Sequence, residues 1–117
     1  MASDPIRILI VDDDEDVLIA LERLLEGEGY ATVTAWSARD AIVQTQESQF
    51  QILLVDENLG DNSPSILDDL RRAQPYASFL LMQSRRDRGW KPPVGQPAVC
   101  KWEHADMTAK IRSCLAT

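Results

Sequence analysis

Two apolar runs of this chain end abruptly in carboxylates. Ile6-Arg7-Ile8-Leu9-Ile10-Val11 stops at Asp12-Asp13-Asp14-Glu15, and Gln51-Ile52-Leu53-Leu54-Val55 stops at Asp56. Short runs rich in β-branched residues mark strands buried on both faces of a parallel sheet. Ligands of an open α/β sheet bind in the crevice outside the carboxyl ends of its strands. Carboxylates gathered there repel one another, so they must shift their pKa values or hold a cation. A hard divalent ion answers that need, because Mg²⁺ takes one or two carboxylates and keeps several waters. The pattern therefore predicts an α/β sheet with an acidic, metal-holding crevice at one end.

The segments between these runs alternate in period. Val17, Leu18, Leu21, Leu24 and Leu25 recur at helical spacing, with Gly27 and Gly29 as the stop. Tyr30 to Ala35 reads as a second strand. Ser37, with Asp40 three residues on, reads as the N-cap of a helix running toward Glu47. Ser63-Pro64 opens another helix, carrying Ile66, Leu67 and Leu70 and ending before Pro75. Ser78 to Met82 is a fourth strand and Ala98 to Cys100 a short fifth. A last helix sets Met107, Ile111 and Leu115 on one face. Between the last two strands, the stretch from Arg85 to Pro97 carries three prolines and two glycines. That composition predicts a short or missing fourth helix.

Strand–helix alternation with right-handed crossovers predicts a flavodoxin-like (βα)5 three-layer sandwich, one domain over residues 1–117. A five-stranded parallel sheet of order 2-1-3-4-5 sets the ends of the first and third strands side by side. Asp12, Asp13 and Asp56 then meet. A net charge of −7 argues against nucleic acid as a direct partner, since phosphate binding needs a basic face. No apolar run is long enough to span a bilayer and no signal-peptide pattern opens the chain, so a cytoplasmic protein is expected. Cys100 and Cys114 have no metal-ligand spacing and read as free thiols in a reducing compartment.

From Ile6 to about Leu115 the chain resembles the receiver domains of two-component response regulators. The resemblance rests on Ile8-Leu9-Ile10-Val11-Asp12-Asp13-Asp14, on the run from Leu21 to Tyr30, on Leu53-Leu54-Val55-Asp56, and on a later strand-ending lysine. It implies that Asp56 accepts a phosphoryl group from a sensor histidine kinase or a histidine phosphotransfer protein. It implies Mg²⁺ as cofactor, with Asp13 and Asp56 as ligands, Asp12 acting largely through water, and Asn58 contributing its backbone carbonyl. Lys101 becomes the lysine that ends the fifth strand. The output is a protein–protein signal, passed to an effector domain or protein, rather than catalysis beyond self-phosphorylation and autodephosphorylation. Each role suits the residue: aspartate forms acyl phosphates, and phosphoryl transfer needs mainly positioning and charge neutralisation.

The chain departs from the family at three places. The switch position ending the fourth strand, usually Thr or Ser, holds Gln83, with Ser84 one residue later; either can donate to a phosphoryl oxygen. Leu59-Gly60 and Pro64 replace the usual Met-Pro loop after the acceptor. Trp102 follows Lys101 where a proline, often cis, is usual, and a cis bond there is costly without proline. That leaves the aim of Lys101 open. Trp90 and Trp102 are expected to cover core beside the lost helix, and the basic run Arg85, Arg86, Arg88 and Lys91 reads as a solvated loop. The competing reading is a degenerate receiver that binds proteins without phosphorylation. A haloacid-dehalogenase-type phosphatase lacks its Thr or Val here, and an EF-hand loop would need glycine at Val17 and glutamate at Arg23.

Overall fold

The computed structural model describes residues 4–57, 59, 64–83 and 97–116. In chain order the elements are β1 (Arg7–Val11), α1 (Glu15–Gly27), β2 (Ala31–Ala35), α2 (Ala38–Glu47), β3 (Ile52–Asp56), α3 (Pro64–Ala73), β4 (Ser78–Gln83), β5 (Ala98–Cys100) and α4 (His104–Leu115). The strands form one parallel sheet of order β2-β1-β3-β4-β5. This is the flavodoxin-like arrangement. The expected short or missing helix before β5 falls on residues outside the described set, as do Ser63, Trp90 and the basic run.

Period-2 alternation sorts the sheet into two faces. Ile8, Ile10, Ile52 and Leu54 join Val17, Leu21 and Leu25 of α1 and Met107 and Ile111 of α4 in one cluster. Leu9, Val11, Leu53 and Val55 join Ala38 and Ala41 of α2 and Leu70 of α3 in the other. Ile8 to Val11 of β1 and Ile52 to Val55 of β3 are therefore apolar without a break, because each face meets a helical layer.

Local chemistry sets the helix ends. Asp14 caps α1, its carboxylate accepting from the Asp16 N–H at 3.0 Å. At the other end Gly29 donates to Glu26 O (3.0 Å) and Tyr30 to Leu25 O (3.1 Å), a Schellman closure. Gly29 sits at φ 92°, where a side chain would be strained. Ser37 Oγ accepts from the Asp40 N–H at 3.0 Å and starts α2 as its sequence predicts. At β5, Lys110 Nζ donates to Ala98 O at 2.7 Å while pairing with Asp106 at 3.2 Å, which fastens α4 to the short strand. Neither Cys100 nor Cys114 is held in a disulfide.

The amino end of the sheet is closed by one buried side chain that the sequence does not advertise. Gln74, 7% exposed, accepts from the Phe50 N–H at 2.9 Å and donates to Thr45 O and Ser48 O at 3.1 and 3.0 Å. It ties the end of α2, the entry to β3 and the end of α3 together. Gln74→Leu fills the space but strands three backbone groups, each costing about 1–3 kcal/mol when left unmade. Urea unfolding should show a loss of roughly 3 kcal/mol; a loss below about 1 kcal/mol would mean that water replaces the amide.

Candidate functional site

The carboxyl ends of β1, β3 and β5 converge on one crevice. Alternation places Asp12, Asp56 and Lys101 on the same face as Ile10, Leu54 and Val99, the face covered by α1 and α4. Asp12 is fully buried; its N–H donates to Ala35 O at 3.0 Å and its Oδ1 accepts from the Asp14 N–H at 2.9 Å. Asp56, 3% exposed, ends β3, and the next residue continues the ladder through Glu57 N–H to Met82 O at 3.1 Å. The Lys101 N–H donates to Gln83 O at 2.9 Å, carrying the β4–β5 ladder past the end of β5.

Lys101 answers the question left by Trp102. All described peptide bonds are trans, yet the Lys101 ammonium reaches the crevice. Its Nζ lies 2.9 Å from Asp12 Oδ2 and 3.5 Å from Asp56 Oδ1. The ladder bond to Gln83 fixes its direction, so no proline is needed. Burial pulls its pKa down, but the hydrogen bond to Asp12 and the charges of Asp56 and Asp12 outweigh that, and the net shift is upward. Trp102 is 50% exposed; a residue turned this far to solvent does not cover the core as expected.

One oxygen from each of Asp12, Asp13 and Asp56 lies within 4.8 Å of the others. Oxygens held at about 2.1 Å around one octahedral ion stand roughly 3–4 Å apart. The donor set is thus of the right hardness and nearly the right span for Mg²⁺, with room for one carboxylate to act through water. Asp13 forms the exposed lip, and Asp12 and Asp56 the buried floor. Gln83 ends β4, buried and paired with Cys100; its alternation follows Leu81, so its side chain leaves the sheet on the face opposite Met82. Asn58 and Ser84 lie outside the described residues.

Sequence reasoning passed over Glu57. This carboxylate directly follows Asp56 and is raised in pKa, by burial first and then by the charge of Asp56, with Lys101 opposing. Its signal was available: an acid next to a strand-ending acid at a sheet's carboxyl edge sits in the same field.

A five-stranded α/β sheet with an acidic cluster and a lysine at its carboxyl edge defines a class, and comparison with known proteins gives the family. Residues 8–88 match the response regulator receiver domain, and the chain belongs to that family. It is 38% identical over 115 residues to the transcriptional regulatory protein PrrA of Mycobacterium bovis, covering 93% of this chain and 49% of PrrA. It is 33% identical over 78 residues to the transcriptional regulatory protein ZraR of Salmonella typhimurium, covering 66% of this chain but 18% of ZraR. The chain thus spans half or less of these curated relatives. Among solved structures, the CheY-like receiver domain from Methanospirillum hungatei superimposes with a TM-score of 0.83 at 24% identity, covering 97% of this chain and 95% of that one. The receiver domain of the hybrid histidine kinase CckA gives 0.79 at 20% identity, covering 93% and 98%. Receiver domains are in general signalling domains rather than enzymes. Among the described residues, no helix is long and apolar enough to cross a membrane.

Proposed function

We propose that this chain takes a phosphoryl group from a histidine kinase or a histidine phosphotransfer protein onto Asp56 and passes the signal on by protein contact. The observation that carries the reading is the convergence of a strand-ending aspartate, two further carboxylates and a buried ammonium in one crevice. An Asp56 carboxylate oxygen attacks phosphorus, the P–N bond to the donor imidazole breaks, and an acyl phosphate forms on Asp56. Lys101 already stands beside Asp56 and balances charge on the incoming oxygens. Asp12 orients that ammonium through its 2.9 Å hydrogen bond. Asp12, Asp13, Asp56 and the Asn58 carbonyl would hold Mg²⁺, which would supply positive charge to neutralise the phosphoryl oxygens. Of the two candidate donors to the phosphoryl group, Gln83 leaves the sheet on the face opposite Asp56, so the role falls more readily to Ser84. The partners are then the kinase or phosphotransfer protein and an effector domain or protein.

Mg²⁺ binding gives the direct test. Asp13→Ala removes the exposed carboxylate while leaving the buried Asp12–Lys101 pair in place, so it should weaken Mg²⁺ at least tenfold with the fold unchanged. Titration followed by tryptophan fluorescence or amide shifts reads this, and equal affinity in the variant would remove Asp13 from the ligand set. Beryllofluoride binding with Mg²⁺ separates this reading from that of a protein-binding module that has lost phosphorylation.

A further inference from the structure

We infer that the flank of α1 facing β2 is a docking groove for a cationic, amphipathic helix of a partner protein. This inference does not rest on the phosphorylation of Asp56. The groove holds about 470 Å³ between α1 and the outer edge of the sheet. Its α1 wall is Glu15, Leu18, Ile19 and Glu22, spaced i, i+3, i+4 and i+7, hence one stripe of the helix. This stripe is distinct from the buried one, Val17, Leu21 and Leu25. Thr34 and Trp36 form the opposite wall, both on the α1 side of β2 by alternation, and Asp13 closes one end. Because β2 is the edge strand, the groove opens at the side of the sheet opposite β5 and Lys101.

Two observations say what fits there. Ile19 is 42% and Trp36 68% exposed, large apolar surfaces facing one cavity rather than scattered singly. All charged lining groups, Asp13, Glu15 and Glu22, are acidic, and none has an ion-pair partner among the described residues. A complementary occupant carries cations at its ends and aliphatic groups in its middle. Glu15 and Glu22 stand seven residues apart, about 10 Å along the helix at 1.5 Å per residue. A partner helix of two to three turns matches that length with Lys or Arg at i and i+7 and Leu or Ile at i+3 and i+4. The indole of Trp36 offers a further face for a guanidinium or ammonium.

The probe is a synthetic helical peptide with Lys at i and i+7 and Leu at i+3 and i+4, compared with one of the same composition and scrambled spacing. Binding is followed on the whole chain by amide shifts and Trp fluorescence. The spaced peptide should bind at least tenfold tighter than the scrambled one, with shifts confined to residues 13–22 and 34–36. Trp36→Ala and Glu22→Lys should each weaken it about tenfold or more; both positions are off the core, and circular dichroism verifies the fold. Equal affinity for the two peptides, shifts spread over the acidic surface, or unchanged binding in both variants would overturn the assignment. So would self-association of the chain through this groove in ultracentrifugation, since a second copy would then be the occupant.

Discussion

Asp56→Asn should take up no phosphoryl group from acetyl phosphate and Mg²⁺, while unfolding at nearly the same denaturant concentration as the parent. The amide keeps the shape of the carboxylate at a 3%-exposed position but lacks the nucleophilic oxygen anion. Loss of the like charge beside Asp12 offsets the weaker contact with Lys101, so the net effect on stability should stay within about 1 kcal/mol. Intact-mass spectrometry reads the modification directly. Phosphate retained on the variant would place the acceptor on another carboxylate of the cluster, Asp12 or Asp13, and sink the assignment of Asp56.

Lys101→Ala should be strongly destabilising. The ammonium is the common counter-ion of two buried carboxylates, at 2.9 and 3.5 Å. Removing one member of a buried ionic cluster costs about 3–5 kcal/mol, because the remaining charges are left uncompensated. Urea unfolding in Mg²⁺-free buffer should show a loss of that order, and millimolar Mg²⁺ should recover part of it by supplying the missing positive charge. The pH dependence carries the same signature. Lys101 has a folded pKa above its unfolded value, so its contribution is complete below the ordinary lysine value of about 10.4 and is lost as pH rises through the folded value. The parent should therefore lose stability more steeply in alkali than Lys101→Ala. Parallel alkaline profiles, or no effect of Mg²⁺ on the variant, would show that the lysine is not the counter-ion.

Much of the fold is legible in the sequence because its signals are local. Gly29 ends α1 by adopting a conformation that other residues avoid, and Ser37 caps α2 through a neighbour three residues on. Asp12, Asp56 and Lys101 announce themselves by ending apolar runs. What escaped depends on partners distant in the chain. Gln74 looks like any polar residue before a proline, and only the assembled chain shows that its amide meets Phe50, Thr45 and Ser48. The reach of Lys101 escaped for a similar reason: a ladder bond to β4, invisible in sequence, supplies the aim that a proline was expected to supply. Trp102 reads in sequence as cover for core beside a short or missing helix, but its place beyond the end of β5 leaves half of it in solvent.

The Asp12–Lys101 pair joins residues 89 apart in sequence. Loop closure of that length is entropically costly and is eased by prior assembly of the strands between. β1 can pair with β2 and β3 from the first half of the chain, whereas β5, three residues long, docks only against a formed β4. If β5 docks last, Asp12 and Asp56 would meet before their shared ammonium arrives. A chain with β5 undocked would hold Asp12 and Asp56 without their counter-ion, and the two carboxylates would repel one another. The ion pair is thus a mark of the completed sheet, since it exists only where the ends of β1, β3 and β5 have all come together.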